Sequence, residues 1–235
     1  MNKTLSRNPS PADQHHAGLA IAGGTLEALK WVALACMALD HVNKYLWGQR
    51  FGVAFELGRL AMPLFGFVLM YNLARPGACR DGLHARVARR LLVAGALAAP
   101  ASVALIGGWP LNILFTLLAA TCIVWLIERG GAVRRAWAVL VFVAAGAVVE
   151  FWWFGLLSCL GAWAFCRKPS GLRLAAWTAA LSTLWIVNRS FAALACLPLV
   201  WTACRVEIPV PRHRWAFYAF YPAHLSAIAL WVELN

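Results

Sequence analysis

Charged residues are scarce in this chain, and acidic residues are the scarcest. Asp and Glu together number nine in 235 residues, and residues of both signs make up 13% of the sequence, against about 25% in soluble proteins. Hydrophobic residues make up 62%, 13 Trp are present, and the mean hydropathy is +0.69. Too little polar surface remains to cover a water-soluble globule. The composition therefore excludes an ordinary soluble domain and predicts a protein of the lipid bilayer.

Paired cysteine motifs are absent. Seven Cys are present, but none forms a C-x-x-C pair and no histidine is spaced with them as in a zinc-binding motif. Most of them stand inside apolar runs, where cysteine acts as a small hydrophobic residue. The sequence therefore predicts neither disulfides nor a metal site.

Basic residues are more frequent than acidic ones: 21 Lys and Arg against nine Asp and Glu give a formal net charge of +12. In a soluble protein such a charge indicates nucleic-acid binding. Here no basic stripe with interleaved aromatic residues stands apart from the hydrophobic segments. Basic residues of membrane proteins collect in cytoplasmic loops, so nucleic acid is not an expected partner.

The first 24 residues lack the apolar core of a signal peptide. They are polar and contain the turn-forming run Asn8-Pro9-Ser10-Pro11. We expect residues 1–24 to form a disordered cytoplasmic tail and residues 25–235 to form a single transmembrane domain.

Apolar runs alternate with short breaks rich in Arg, Gly and Pro along the rest of the chain. A membrane-spanning helix needs about 17–25 predominantly apolar residues. The runs predict an all-α, polytopic transmembrane helix bundle of about nine spans, at 26–47, 57–73, 88–106, 111–127, 136–149, 152–166, 173–188, 191–204 and 215–233. Most Lys and Arg then fall on one side, so the positive-inside rule predicts a cytoplasmic N-terminus.

Polar side chains interrupt these apolar runs, where a charge costs about 2.5–3.5 kcal/mol on insertion scales. Nearly all of them fall in the outer half of the membrane under this topology. Such clustering predicts a water-filled cavity that opens outward. The residues are Asp40, His41, Asn43, Lys44, Glu56, Arg59, Asn72, Asn112, Thr116, Glu150, Asn188, Arg189, Tyr221 and His224.

Asp40 and His41 are the leading catalytic candidates, because they lie deep in the first span. Histidine exchanges protons near neutral pH, whereas the structural alternative is a packed imidazole bonded to a backbone carbonyl. Asp40 can reach Lys44 one turn on, or Arg59 in the next span. Arg59 either pairs with Asp40 or grips an anionic group, or it forms only a surface pair with Glu56.

Later spans supply candidates for binding a substrate or donor. Asn112 and Thr116 share a helix face, with an interhelical hydrogen bond as the alternative. Glu150 and Arg189 are either binding residues or loop residues at span ends. His224 lies beside a proline kink, in a segment that also fits an aromatic belt. The candidate set is Arg59, Asn112, Thr116, Glu150, Arg189, Tyr221 and His224.

Four short motifs, taken in order, resemble the TraX family. They are Leu39-Asp40-His41, Gly58-Arg59-Leu60-Ala61-Met62-Pro63-Leu64-Phe65-Gly66-Phe67, Leu111-Asn112-Ile113-Leu114-Phe115-Thr116-Leu117 and Phe220-Tyr221-Pro222-Ala223-His224-Leu225. The resemblance covers about residues 26–233 and is strongest to the branch of plasmid transfer proteins often called TrbP. Glu150 and the tail lie outside these motifs.

The resemblance implies a multi-pass protein of the bacterial inner membrane that acetylates the conjugative pilin, with acetyl-CoA as donor. It also implies a relationship to integral-membrane acyltransferases. By position, His41 matches the catalytic histidine, while Asp40, Arg59, Asn112 and His224 match other motif positions. The implied partners are the pilin subunit and membrane lipids.

As a hypothesis, His41 takes the proton of a pilin amine or hydroxyl, while Asp40 orients the imidazole or stabilises its protonated form, directly or through water. Arg59 and Asn112 then stabilise the oxyanion or hold the donor. The loop from Arg75 to Arg90 either binds the phosphates of acyl-CoA or only fixes the topology. Because a cytoplasmic donor and the catalytic pair lie on opposite sides, a membrane phospholipid is the alternative donor.

Two functions of other classes stand beside the enzyme. A non-enzymatic chaperone would hold the hydrophobic pilin before assembly. A small-molecule transporter would be expected to contain inverted internal repeats, and an odd number of spans without visible self-similarity argues against it.

Overall fold

The structure, a computed structural model, describes residues 19–213 and 215–234. Over this part of the chain it is a bundle of α-helices without strands, and the all-α prediction is confirmed. A short 3-10 helix, Ala192–Ala195, precedes α10. The helices are α1 (Gly23–Tyr45), α2 (Gly52–Gly58), α3 (Ala61–Leu73), α4 (Leu83–Ile106), α5 (Ile113–Arg129), α6 (Ala132–Gly146), α7 (Trp152–Arg167), α8 (Gly171–Thr183), α9 (Trp185–Asn188), α10 (Cys196–Ala203) and α11 (Ala216–Leu234).

The second predicted span, 57–73, differs from the structure in two respects. Helical structure begins earlier, at Gly52, and it is interrupted between α2 and α3. Pro63 has no N–H to donate to the carbonyl of Arg59, so the helical ladder breaks there. The backbone N–H groups of Arg59 and Leu60 instead donate to carbonyls three residues back. The break places the Arg59 side chain at a helix junction.

The predicted division of the long run from 136 to 166 is confirmed. α6 ends at Gly146 and α7 begins at Trp152, although α6 itself lies about four residues earlier than expected. In the connection, Val149 forms a parallel β-bridge with Leu111, two residues before the start of α5. The backbone N–H of Glu150 donates to Leu111 at 2.8 Å. This bridge ties the α6–α7 connection to the start of α5.

The expected disordered tail over residues 1–24 is corrected at its C-terminal end. Leu19 and Ile21 are buried, and α1 already begins at Gly23. The backbone N–H of Ile21 donates to the Tyr71 hydroxyl at 3.1 Å, and that hydroxyl donates to the carbonyl of Leu19. Apolar burial and these hydrogen bonds hold residues 19–24 against α3. Residues 1–18 lie outside the described residues.

Two helical stretches of the described chain are long and apolar enough to cross a membrane: Gly52–Leu73 and Leu83–Ile106. The other runs fall short for identifiable reasons. α6 has 15 residues and α8 has 13, below the roughly 17–25 that a span needs, while α1 carries four Asp, Glu or Lys side chains. Large apolar side chains nevertheless face outward, among them Leu97, Val133 and Leu172, which are 66%, 71% and 82% exposed.

The helices around α1 form the frame of the candidate site. α1 packs against α2, α3 and α11, while α4 lies between α5 and α11. On the far side of α3, α7 contacts both α3 and α8, where Trp177 is stacked between Phe67 and Phe165 at centroid distances of 5.5 and 5.6 Å. The rigid aromatic stack lies behind α3, and the polar residues lie on the α1 and α11 side.

Candidate functional site

Two histidines from opposite ends of the chain meet between α1 and α11. His41 Nδ1 lies 2.7 Å from His224 Nε2, and the two rings are nearly parallel, with an interplanar angle of 8°. Both side chains are half-buried. The second nitrogen of His224, Nδ1, lies 3.0 Å from the backbone carbonyl of Phe220, one turn earlier in α11.

This chain of contacts fixes the tautomers of both neutral rings. A carbonyl oxygen can only accept, so the Phe220 contact requires the proton of His224 to reside on Nδ1. His224 Nε2 is then an acceptor, and His41 must donate to it from Nδ1. The remaining nitrogen of His41, Nε2, keeps its lone pair. The arrangement therefore leaves a Brønsted base at His41 Nε2, held in place by His224.

Asp40 points away from this pair and into an ion pair with Arg59. The guanidinium Nη2 of Arg59 contacts Asp40 Oδ2, and both side chains are largely buried. Arg59 also donates from Nε to the carbonyl of Phe55 at 3.2 Å and from Nη1 to Asn188 Oδ1 at 3.3 Å. Asp40 therefore does not contact the His41 imidazole directly: adjacent residues of a helix point about 100° apart, and His224 is the partner of His41 Nδ1.

Glu150 reaches the same region from the α6–α7 connection. Its carboxylate lies near the backbone N–H of Ile113, and the charges acting on it come from Lys44, Arg59 and Asp40. Glu150 is thus electrostatically linked to the Asp40–Arg59 pair although 91 residues separate it from Arg59 along the chain. The β-bridge described above carries it there.

Asn112 and Thr116 hold the helices together. Asn112 caps α5 by accepting from the N–H of Leu114 at 3.1 Å, and it donates to the carbonyl of Gly95 in α4 at 3.0 Å. Thr116 donates from its hydroxyl to the carbonyl of Glu150 at 2.6 Å. Both are buried, so the structural alternative holds for Asn112: its oxygen is already occupied by a backbone donor.

Arg189 does not join the cluster. Its side chain is exposed, and the guanidinium lies 5.2 Å from the ring centroid of Trp185. The neighbouring Asn188 is the residue that reaches Arg59, and its side chain is buried. The following Ser190 donates to the carboxylate of Glu56. The sequence indicates a polar segment here but not which side chain turns inward, because that depends on the left-handed conformation of Arg189.

A cavity of about 550 Å³ lies between α1, α3, α4, α5 and α11. Apolar side chains such as Phe65, Leu69 and Leu117 form much of its wall. Among the described residues that line it, none is acidic, whereas five are cationic: Lys30, Arg75, Arg86, Arg90 and Arg212. The cavity therefore combines an apolar interior with a positively charged rim.

Tyr221 connects this cavity to the histidine pair. Its side chain is buried and lines the cavity together with Ile113 and Leu114 at the start of α5. On its other side, the Tyr221 ring lies 5.6 Å from that of His224 and 6.5 Å from that of His41, measured between centroids. A long anionic molecule with its charged end at the arginines would therefore extend toward the histidines.

The chain matches a known protein family. The family model described as TraX protein matches residues 25–232, which is nearly the whole described chain. No match was found among curated proteins or among solved structures.

Proposed function

Because the chain belongs to the TraX family, which is linked to conjugative pili, we propose that it is an inner-membrane acyltransferase that modifies the pilin subunit. The observation that carries the proposal is the cavity between its cationic rim and the histidine pair. A base at one end and a set of phosphate-binding side chains at the other are the two elements that acyl transfer from acyl-CoA requires.

The dimensions of the site fit this donor. Lys30 at the rim and His41 are eleven residues apart on α1, which corresponds to about 16 Å along the helix axis. An extended chain advances about 3.3–3.6 Å for every three bonds, so the roughly thirteen bonds from the diphosphate to the sulfur of CoA span about 15 Å. Phosphates held at the arginines would then place the thioester near His41. The sequence suggests a lipid donor because a cytoplasmic donor and the catalytic pair lie on opposite sides. The chain between the diphosphate and the sulfur of CoA is long enough to bridge this distance.

We further propose that all nine apolar runs cross the membrane, with the N-terminus and the arginine rim on the cytoplasmic side. The exposed apolar faces of α4, α6 and α8 support this arrangement, because they would be covered by lipid. Acyl-CoA would enter from the cytoplasm, and the pilin acceptor would approach His41 from the opposite face.

The chemistry follows from the tautomers. The nucleophile, an amine or hydroxyl of pilin, attacks the thioester carbon while His41 Nε2 accepts its proton. Arg59 and Lys44 are the side chains whose positive charges act on His41, and we assign to them the stabilisation of the oxyanion. Collapse of the tetrahedral intermediate breaks the carbon–sulfur bond, and the thiolate takes the proton back from His41. The products are acylated pilin and free CoA.

Intact mass spectrometry of pilin tests the proposal. Pilin from cells that carry the gene should be heavier, by the mass of one acyl group, than pilin from cells without it. The purified protein in nanodiscs should reproduce that increment with acetyl-CoA as donor. Modification of pilin by the nanodisc phospholipid alone would identify a lipid donor instead. Identical pilin masses in cells with and without the gene, together with defective pilus assembly in cells without it, would identify a chaperone.

The cationic rim gives a prediction that separates binding from chemistry. Replacing Arg86 and Arg90 together by glutamine should raise KM for acyl-CoA about 10–100-fold, because charge-assisted bonds to phosphate are lost, with a much smaller change in kcat. The control is the same double replacement at Arg134 and Arg135, which are exposed and do not line the cavity. An equal rise in KM in both double variants would show that the loss of net positive charge, and not the loss of contacts at the rim, weakens donor binding.

A further inference from the structure

A second cluster of reactive side chains lies outside the proposed active site, where the α3–α4 loop meets the C-terminal end of α5. Cys79 comes from the loop, His84 from the first turn of α4 and Glu128 from the last turn of α5. One potential ligand atom from each residue, a thiol sulfur, a ring nitrogen and a carboxylate oxygen, lies within 4.8 Å of the other two. We propose that these three residues bind a divalent cation of the zinc type.

His84 provides the independent observation that points to a ligand. Its side chain is completely buried, and neither ring nitrogen has a hydrogen-bond partner among the described residues. The carbonyl of Ala78 lies nearby but not in hydrogen-bonding geometry. A buried imidazole without any partner is costly, and a metal ion would satisfy one of its two nitrogens.

The carboxylate of Glu128 is divided between two tasks. Its Oε1 accepts from Arg167 and from the indole N–H of Trp163, the latter at 3.3 Å. Its Oε2 faces His84 Nε2 at 3.6 Å, too far for a hydrogen bond. Outer hydrogen bonds that leave one oxygen directed at a histidine are the usual support of a metal-binding carboxylate.

The spacing of the ligand atoms fits zinc after a small contraction. Zinc bonds of about 2.0–2.3 Å in a tetrahedron place neighbouring ligand atoms about 3.3–3.8 Å apart. The His84–Glu128 distance is already in this range, so the thiol of Cys79 has to approach by only about 1 Å. Thiolate and imidazole ligands exclude calcium and magnesium, which prefer oxygen.

The ligands supply two negative charges to the ion. The thiolate of Cys79 and the carboxylate of Glu128 together match the charge of a divalent cation, and Glu128 is also paired with Arg167. Cys79 and Glu128 also line a cavity of about 480 Å³ that contains Arg75, Arg80 and Lys168. A fourth ligand, water or an anion, can reach the metal from this cavity. Since Arg75 also belongs to the cationic rim, the ion would brace the loop beside the donor entrance.

Metal analysis of the full-length protein tests the site. The protein is purified in detergent with an affinity tag that contains no histidine, and its zinc content is measured by mass spectrometry. We expect about one zinc per chain, lost in Cys79→Ser and His84→Gln. Cys122→Ser is the matched control, because this cysteine lies on α5 outside the cluster, and it should retain the zinc.

Cobalt titration of the unmodified protein keeps the test decisive if a variant fails to fold. Co²⁺ bound by a cysteine thiolate gives a charge-transfer absorption band, which should appear in the unmodified protein and in Cys122→Ser. It should be missing in Cys79→Ser. A monodisperse, unmodified protein that contains no zinc and develops no such band would overturn the proposal, and so would a band that survives in Cys79→Ser.

Discussion

Replacement of His41 by alanine is expected to lower the rate of pilin acylation by about 10²–10⁴-fold, the usual contribution of a positioned general base. The reason is geometric: with His224 bonded to Phe220, His41 Nε2 is the nitrogen of the pair left with a free lone pair. The measurement is the acylated fraction of pilin by intact mass, taken at several times. The control is His213→Ala, because the side chain of His213 is exposed and does not line the cavity.

His224 is expected to act as a positioning residue, so the acylation rates of its variants should lie between those of His41→Ala and His213→Ala. His224→Ala removes the acceptor that fixes His41 Nδ1, and we expect a loss of about 10-fold or more in kcat with little change in KM for the donor. His224→Gln offers an amide oxygen in place of the ring nitrogen and should recover part of the rate. Full activity of His41→Ala, with pilin acylated at the unmodified rate, would exclude the proposed mechanism.

The sequence predicts which residues belong to this site better than it predicts which of them contact one another. Composition and apolar periodicity indicate helices, and the cost of polar groups in lipid singles out Asp40, His41 and Arg59. The sequence allows Asp40 to pair with Lys44 or with Arg59, and the pair with Arg59 is the one observed. The partner of His41 lies 183 residues away, and no local pattern encodes such a contact, since it depends on how α11 packs against α1.

The contact of Asn188 with Arg59 and the cluster of Cys79, His84 and Glu128 could not be predicted from the sequence, for the same physical reason. Asn188 follows the apolar residues Trp185, Ile186 and Val187, and its inward direction is set by a single left-handed residue after it. Cys79, His84 and Glu128 come from three separate elements, so their spacing matches no ligand motif. In both cases the information lies in tertiary packing, which converts an ordinary loop or helix end into part of a cluster.

Removal of either partner of the Asp40–Arg59 pair is expected to destabilise the protein by about 3–5 kcal/mol, because the other charge is left buried and unpaired. Asp40→Asn and Arg59→Gln should therefore each lower the unfolding temperature strongly in detergent. The double variant should lose less than the sum of the two single losses, since it leaves no isolated charge. Glu233→Gln, at an exposed position of α11, is the control and should stay within about 0.5 kcal/mol.

Gly58 allows the same pair to be disturbed without a change of charge. A methyl group at Gly58 would collide with Cβ and Cγ of Asp40 and lie 2.8 Å from Oδ2, whereas one at Gly52 in the same helix meets no atom within 4 Å. We expect Gly58→Ala to cost about 1–3 kcal/mol through overpacking, and Gly52→Ala to leave stability unchanged or slightly improved. If both glycine variants and Asp40→Asn unfold at the temperature of the unmodified protein, Asp40 neither packs against Gly58 nor pairs with Arg59. A folded Gly58→Ala variant should still acylate pilin, because a shifted Asp40 weakens its pair with Arg59 but leaves His41 bonded to His224. Its activity separates the stabilising role of the Asp40–Arg59 pair from the catalytic role of His41.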